Sequence, residues 1–272
     1  MRIAVYIGRK VSETDERIVR LTDALLNGGV EVYSVKKTED IRSGTDMMLS
    51  VGGDGTFLSA AKLVADSALP VAGVNLGRLG FLSENHPEDI AGALISGDYA
   101  IENRSLLKAV IESGDEAVDS WPYALNEMTV RRSGSAMLGV DLTLDDVLLP
   151  TYWADGLVIS TSSGSTAYSL SVGGPIVLPE SRVLIVSPIA PHNLNVRPLV
   201  VPDSTKMTLR MHSRDGRFEF SADNRVVEVS ENTPVTVSLA QFSLRRVRLN
   251  KSDFMHALIE KLHWGDDLRN VR

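Results

Sequence analysis

The first hundred residues alternate segments of strand character with segments of helical periodicity, and this alternation restricts the possible folds more than any other pattern. The strand-like segments are RIAVYIG, VEVYSV, DMMLSV and PVAGVN, and the helical ones are SETDERIVRLTDALLNGG, GTFLSAAKLVADS and HPEDIAGALISGDY. In the first helix, Ser12 or Thr14 is the candidate N-cap, and Ile18, Leu21 and Leu25 form an apolar stripe. Strands that alternate with helices predict a doubly wound, Rossmann-like α/β domain with a parallel sheet.

The pattern changes at about residue 104. Short β-rich segments separated by Gly, Ser, Asp and Pro turns predict an all-β, sandwich-like domain over residues 104–250. Helical periodicity returns at the end of the chain, with Phe254, Leu258 and Leu262 on one face. Because a parallel sheet needs helices on both faces, we expect residues 251–272 to return to the domain formed by residues 1–103.

Composition narrows the function classes. The 272 residues contain 43% hydrophobic and 23% charged residues, no cysteine and a formal net charge of −7. The acidic net charge argues against nucleic-acid binding. The sequence contains no apolar run of about 18 residues that would indicate a membrane span. The start, MRIAVYIGRK, lacks the pattern of a signal peptide. We therefore expect a cytoplasmic protein without nucleic-acid or membrane partners.

A glycine-rich loop stands between a predicted strand and a predicted helix. Gly52, Gly53 and Gly55 surround Asp54 in the segment LSVGGDGTFLSAA. Glycines there let a ligand approach the backbone, and the N–H groups of a helix start attract anions. The carboxylate can accept a proton from an attacking hydroxyl or help to hold a divalent cation. The alternative is a tight strand-to-helix turn with Asp54 as its cap.

A second candidate segment, TSSGSTAYSLSVGGP, is rich in hydroxyl groups. Hydroxyls and free backbone groups suit a polar, uncharged ligand such as a sugar or a purine edge, and Tyr168 offers a stacking face. The alternative is a solvated Ser/Thr-rich loop. The five histidines are scattered and predict no metal cluster.

Five blocks of the sequence together resemble the signature of the NAD kinases. They are GGDGT, NLGRLGFLSE, LNEMTV, DGLVISTSSGSTAYSLSVGGPIV and RPLVVP, in that family's order. Diacylglycerol and sphingosine kinases share the glycine loop but lack the fourth block. The resemblance implies a kinase that phosphorylates the 2′-hydroxyl of the adenosine ribose of NAD to give NADP, with ATP or polyphosphate as donor.

The resemblance also implies site residues. Asp54 would be the catalytic base, Asn126 and Glu127 would contact the adenine edge, phosphate or ribose, and Phe81 would form an aromatic wall unless it is a core residue. NAD or ATP contacts are implied for Gly52, Gly53, Asp54, Gly55, Phe81, Asn126, Glu127, Asp155, Thr166, Ala167, Tyr168, Ser169, Leu170, Ser171 and Ala190. The family also implies a magnesium ion and a homo-oligomer, either a dimer or a tetramer.

Three positions depart from the family pattern. Trp153 stands where many relatives carry an arginine that could touch a phosphate, and Ser162 replaces a proline. Asp223-Asn224 replaces the usual Asp-Gly, and the resemblance carries little weight for a role of Asp223. Two other functions stay open on the sequence alone: a lipid kinase with the same loop, and a dinucleotide sensor without catalysis.

Overall fold

The computed structural model describes residues 1–77, 80–111 and 121–264. The chain divides into two compact units, one formed by Met1–Asn103 with Leu244–Arg272 and the other by Arg104–Ser243. Among the residues described, no helix combines the length and hydrophobicity that a membrane crossing needs.

The first unit contains a six-stranded sheet with the order β2-β1-β3-β4-β19-β5. Its strands are β1 (Arg2–Ile7), β2 (Glu31–Ser34), β3 (Met47–Val51), β4 (Val71–Val74), β5 (Tyr99–Arg104) and β19 (Leu244–Leu249). β1 pairs in parallel with β2 and β3, and β4 pairs in parallel with β3 and β19. The doubly wound α/β fold that the sequence predicts is therefore confirmed.

The described part of the first unit contains the α-helices α1 (Glu16–Asn27), α2 (Asp54–Val64), α3 (Pro87–Ser96) and α5 (Phe254–Leu262). The predicted stripe of α1 is buried and packs with α3 against the sheet. The N-cap of α1 is Asp15, whose carboxylate accepts the N–H of Arg17, so the expectation of Ser12 or Thr14 was wrong. An acidic residue in that position also suits the positive end of the helix dipole.

The C-terminal segment enters the first unit earlier than expected. The sequence analysis placed residues 244–250 in the β domain, but β19 pairs in parallel with β4 in the first sheet. The sequence of β19 has the same β-rich composition as the preceding strands, so composition alone does not show where the chain returns to the first unit. α5 buries Ala257 and Leu258, whereas Leu262 is 37% exposed, so the expected stripe is buried only in part.

The second unit is a sandwich of two largely antiparallel sheets with the orders β10-β9-β15-β18-β6-β7 and β14-β13-β12-β8-β16-β17. Its strands are β6 (Leu107–Ile111), β7 (Tyr123–Ala124), β8 (Glu127–Arg132), β9 (Leu138–Leu144), β10 (Val147–Leu148), β11 (Tyr152–Ala154), β12 (Gly156–Thr161), β13 (Val183–Ile189), β14 (Leu199–Pro202), β15 (Met207–His212), β16 (Arg217–Ala222), β17 (Arg225–Ser230) and β18 (Val235–Leu239). β11 pairs with β9.

One apolar core fills the space between the two sheets, and alternate residues of β8, β9, β12, β15 and β16 contribute to it. This is the sandwich-like architecture that the sequence predicts. Between β12 and β13 the chain forms a 3₁₀ turn at Ser163–Thr166 and the short helix α4 (Tyr168–Ser171). The hydroxyl-rich segment is therefore ordered at the end of a central strand.

Candidate active site

The glycine-rich loop connects β3 to α2, and glycine is present in it for two different physical reasons. A side chain at Gly52, where φ is +149°, would overlap the hydroxyl of Thr56, so this glycine is required by the fold. Among the described residues, and apart from the neighbouring backbone, no atom lies within 4 Å of the position that a Cβ would take at Gly53 or Gly55. Packing therefore does not require those two glycines, and the space above the start of α2 is open to a ligand.

Asp54, the first residue of α2, accepts three backbone hydrogen bonds. Its Oδ2 accepts the N–H of Phe81 at 2.9 Å, and its Oδ1 accepts those of Leu82 and Ser83 at 3.0 and 2.8 Å. A side chain at Gly80 would overlap Oδ1. The carboxylate is thus fixed by a neighbouring loop, and among the described residues one lone-pair direction of Oδ2 has no partner.

Phe81 lies beside this carboxylate but its ring also contacts α5. The ring centroid is 6.0 Å from that of Phe254, and the ammonium of Lys261 lies 3.8 Å from the centroid. The structure therefore brings Gly52, Gly53, Asp54, Gly55 and Phe81 together, with Phe81 partly covered by the C-terminal helix.

In the second unit, Asp223 fixes the backbone that carries Asn126 and Glu127. Its carboxylate accepts the N–H groups of Leu125, Asn126 and Glu127 at 2.9, 2.8 and 3.3 Å, and its own N–H donates to the carbonyl of Glu127. Asp223 has φ +51°, a conformation that Asp adopts more readily than most residues. The structure thus gives Asp223 a positioning role that the sequence supported only weakly.

Glu127 is a buried carboxylate with an unpaired oxygen. Burial raises its pKa to about 7, the charge of Asp223 acts in the same direction, and the N–H of Tyr168 opposes both. Burial likewise raises the pKa of Asp223, against the backbone N–H groups and Arg225, which lower it. Oε2 of Glu127 is buried and has no hydrogen-bond partner among the described residues. A hydroxyl-bearing ligand would supply the missing donor.

Most hydroxyls of the Ser/Thr-rich segment are used inside the protein. Ser165 Oγ contacts both the N–H and the carbonyl of Val177, and Ser169 Oγ lies 3.2 Å from Ser187 Oγ. Ser169 is fully buried, so it contributes to the segment's shape rather than offering its hydroxyl to a ligand. Gly164 lies so close to the carbonyl of Asn126 that any side chain would collide with it.

The remaining predicted residues of this segment are more accessible. Thr166, Ala167, Tyr168 and Leu170 are partly exposed, and Ser171 is exposed. The N–H of Tyr168 lowers the pKa of Glu127, and the N–H of Thr161 donates to the carbonyl of Asn126 at 2.9 Å, so the segment that leads into α4 lies beside the start of β8. The structure therefore brings Asn126, Glu127 and Tyr168 together.

Asp155 and Ala190 form the other part of the second unit's candidate site. The N–H of Asp155 donates to the carbonyl of Ile189, which places it beside Ala190, an exposed residue with φ +44°. Asp155 Oδ1 pairs with Arg132 Nε at 2.8 Å. The cation beside Asp155 is therefore Arg132 of β8, which could not be identified from the sequence. Trp153, at the position where many relatives carry an arginine, is 41% exposed.

The donor set fits a magnesium ion that is held mainly by nucleotide phosphates. The described residues contain no group of three or more His, Cys, Asp or Glu side chains that could enclose a metal. Asp54 offers one carboxylate oxygen with a free direction at an open helix start. One carboxylate together with substrate phosphates is a common way for proteins to hold Mg²⁺.

Both halves of the chain match the domains of one protein family. Residues 9–96 match the family model of the ATP-NAD kinase N-terminal domain, and residues 125–249 match that of the C-terminal domain. The NAD kinase of Flavobacterium johnsoniae is 42% identical over 295 aligned positions, which cover 99% of this chain and 100% of that protein. That of Flavobacterium psychrophilum is 41% identical over 236, covering 85% and 80%.

Two solved structures are also similar. An NAD kinase from Archaeoglobus fulgidus in complex with ATP has a TM-score of 0.79 and 28% identity, covering 97% of this chain and 99% of that one. The yeast NADH kinase complexed with NADH has a TM-score of 0.86 at 22% identity, covering 100% and 90%, and shows a shared fold.

Proposed function

This chain belongs to the NAD kinase family, and from that premise we propose that it phosphorylates the 2′-hydroxyl of the adenosine ribose of NAD, with ATP as donor, to give NADP. Within the chain itself, the assignment rests on how the carboxylate of Asp54 is held. Its carboxylate is held by three N–H groups at a helix start where Gly53 and Gly55 leave open space. The family match gives no support to the lipid-kinase alternative.

Asp54 accepts the hydroxyl proton as the 2′-oxygen attacks the γ-phosphorus. Three N–H donors fix the orientation of the carboxylate, so little reorganisation is needed when the proton moves. The free N–H groups at the start of α2 face the phosphate that the open space admits. A magnesium ion would be held mainly by the nucleotide phosphates and its own waters near Asp54, and it would neutralise charge on the phosphate oxygens.

NAD binding belongs to the second unit in this proposal. Glu127 accepts from a ribose hydroxyl, which satisfies its unpaired buried oxygen, and Asn126 and Tyr168 offer an amide and an aromatic face beside it. In this proposal Asp155 and Ala190 also contact NAD. The two compact units then correspond to a domain that carries the glycine loop and a domain that binds NAD.

We propose a cytoplasmic homo-oligomer, a dimer or a tetramer. Several large apolar side chains of the second unit are exposed, among them Val147 and Leu148 at 64% each and Leu194 at 85%. Val147 and Leu148 are consecutive residues, and a subunit contact would cover them together.

The test is NADP formation from ATP, magnesium and NAD, measured with an NADP-specific dehydrogenase for the wild type and for Asp54→Asn. Loss of a general base costs about 10²–10⁴ in rate, so turnover should fall by that factor while NAD affinity stays within a few-fold. Asp46→Asn is the matched control, because Asp46 also accepts a backbone N–H in the first unit but lies outside the loop. Near-normal turnover in Asp54→Asn would refute the assigned role.

A further inference from the structure

Lys261, near the end of α5, carries a half-buried ammonium group without a conventional partner. It lies 3.8 Å from the ring centroid of Phe81, the residue whose N–H donates to Asp54. No hydrogen bond or ion pair joins Lys261 to another residue in the described ranges, although Lys251, one segment earlier, pairs with Asp89 at 2.6 Å. Within the described part of the chain, the three N–H donors of Lys261 therefore have no acceptor and can donate to a ligand.

The charges around Lys261 single out Asp54. Burial lowers the pKa of Lys261, and the charge of Asp54 is the largest influence in the opposite direction. Glu84 and Glu260 also raise it, and Arg246 lowers it. Glu84 is already neutralised by Arg246, whose guanidinium lies 2.8 Å from its carboxylate. Phe81 contacts both groups, since its ring lies against the Lys261 ammonium and its N–H donates to the Asp54 carboxylate, and no direct ion pair between Lys261 and Asp54 is present among the described residues.

A packing role explains only part of this arrangement. Contacts between an ammonium and an aromatic ring stabilise a fold only modestly, and an apolar side chain of similar length could cover the same ring. An unpaired ammonium beside a carboxylate and an open helix start has a specific use instead. It can bind an anion that arrives at that start.

We propose that Lys261 binds the phosphoryl group that is transferred, an inference that rests on the proposed function. The 2′-oxygen forms a bond to the γ-phosphorus, the bond from that phosphorus to the β–γ bridging oxygen breaks, and ADP leaves with that oxygen. The hydroxyl proton goes to Asp54. Lys261 donates to the γ-phosphate oxygens throughout and offsets their charge, so the C-terminal helix supplies a residue that touches the reacting group.

The test compares Lys261→Met, Lys261→Arg and the control Lys251→Met. Methionine keeps the apolar stem over Phe81 but removes the charge, so the melting temperature should stay within about 2 °C of the wild type. Loss of a charge that contacts the transferred group should lower kcat/KM for ATP by about 10²-fold, with NAD affinity unchanged. Lys261→Arg should restore part of the rate, and Lys251→Met should leave it unchanged.

Calorimetric titration with inorganic tripolyphosphate separates this inference from the proposed function. The wild type should bind tripolyphosphate, and Lys261→Met should bind it at least about tenfold more weakly, whether or not the protein forms NADP. Equal tripolyphosphate affinity in the two proteins, or a wild-type rate in Lys261→Met, would overturn the role of Lys261. A wild type that binds tripolyphosphate in a Lys261-dependent way but forms no NADP would refute the kinase and leave the phosphate site standing.

Discussion

Asp54 and Asp223 make the same kind of contact in different units. Each carboxylate accepts three consecutive backbone N–H groups, from residues 81–83 in one case and residues 125–127 in the other. Such contacts satisfy consecutive backbone N–H groups and fix the segment that carries them. Asp54 keeps a free direction and faces open space, whereas Asp223 is surrounded by protein. The first can act on a ligand, and the second acts through Asn126 and Glu127.

Glu127 gives a prediction on the pH dependence of stability. The difference between its pKa of about 7 and the ordinary value of 4.5 corresponds to roughly 3 kcal/mol in the free energy of unfolding. The folded protein binds this proton more tightly than the unfolded chain does. The contribution of Glu127 to the stability of the folded protein is therefore intact below about pH 4.5, and it is lost as the pH rises to about 7.

Glu127→Gln removes this dependence, because the amide resembles the protonated acid and stays neutral at every pH. We expect the variant to match the wild type in melting temperature near pH 5 and to exceed it by several degrees at pH 8 without ligand. Thermal unfolding followed by circular dichroism at the two pH values checks this. A difference between the proteins that is the same at pH 5 and pH 8 would contradict the buried, proton-binding state of Glu127.

At the scale of elements, the contact between α2 and the loop of residues 80–83 yields a second prediction. In Gly80→Ala the new methyl group would overlap Asp54 Oδ1, so the carboxylate has to move. A displacement of about 1 Å at a reacting group can cost 10²-fold in rate, and we expect a loss of that order in NADP formation. NAD affinity should not change, because the proposed NAD contacts of Glu127 and Tyr168 lie in the other unit.

Gly92→Ala is the matched control for this substitution. Gly92 lies inside α3 with no atom within 4 Å of the added methyl group, and alanine is the better helix former by roughly 1 kcal/mol. Its turnover should equal that of the wild type, and its melting temperature should be equal or higher. Full activity in Gly80→Ala would mean that the loop does not fix Asp54.

Elements with strong periodicity could be predicted from the sequence, and contacts between distant segments could not. Strand and helix periods located α1, α2 and β3, and the family motif located Asp54. The cap of α1 was missed by one to three residues, since Ser12, Thr14 and Asp15 are all good caps and local geometry decides among them. The roles of Gly80, Arg132 and Asp223 depend on pairings far along the chain, which leave no local periodic signal.

At the scale of the whole molecule, the first unit is built from both ends of the chain. β19 completes its sheet beside β4, and Arg246 on that strand is 2% exposed and paired with Glu84 and Glu102. A buried arginine of this kind is costly unless its carboxylate partners are in place. The residues that precede and follow the β unit therefore depend on each other, and the first unit needs the C-terminal segment to be complete.

The last prediction concerns that segment. Deletion of residues 252–272 removes α5, which buries Ala257 and Leu258 and places Phe254 and Lys261 against Phe81. Loss of a buried leucine alone costs about 2–5 kcal/mol, so we expect the melting temperature to fall by roughly 5 °C or more and NADP formation to be lost. Leu258→Ala should reproduce most of the destabilisation, whereas Ile259→Ala, at a position on the same helix that is 51% exposed, should change it little. Differential scanning calorimetry and the NADP assay measure both effects. A truncated protein that melts at the wild-type temperature and keeps full activity would show that the first unit does not depend on α5.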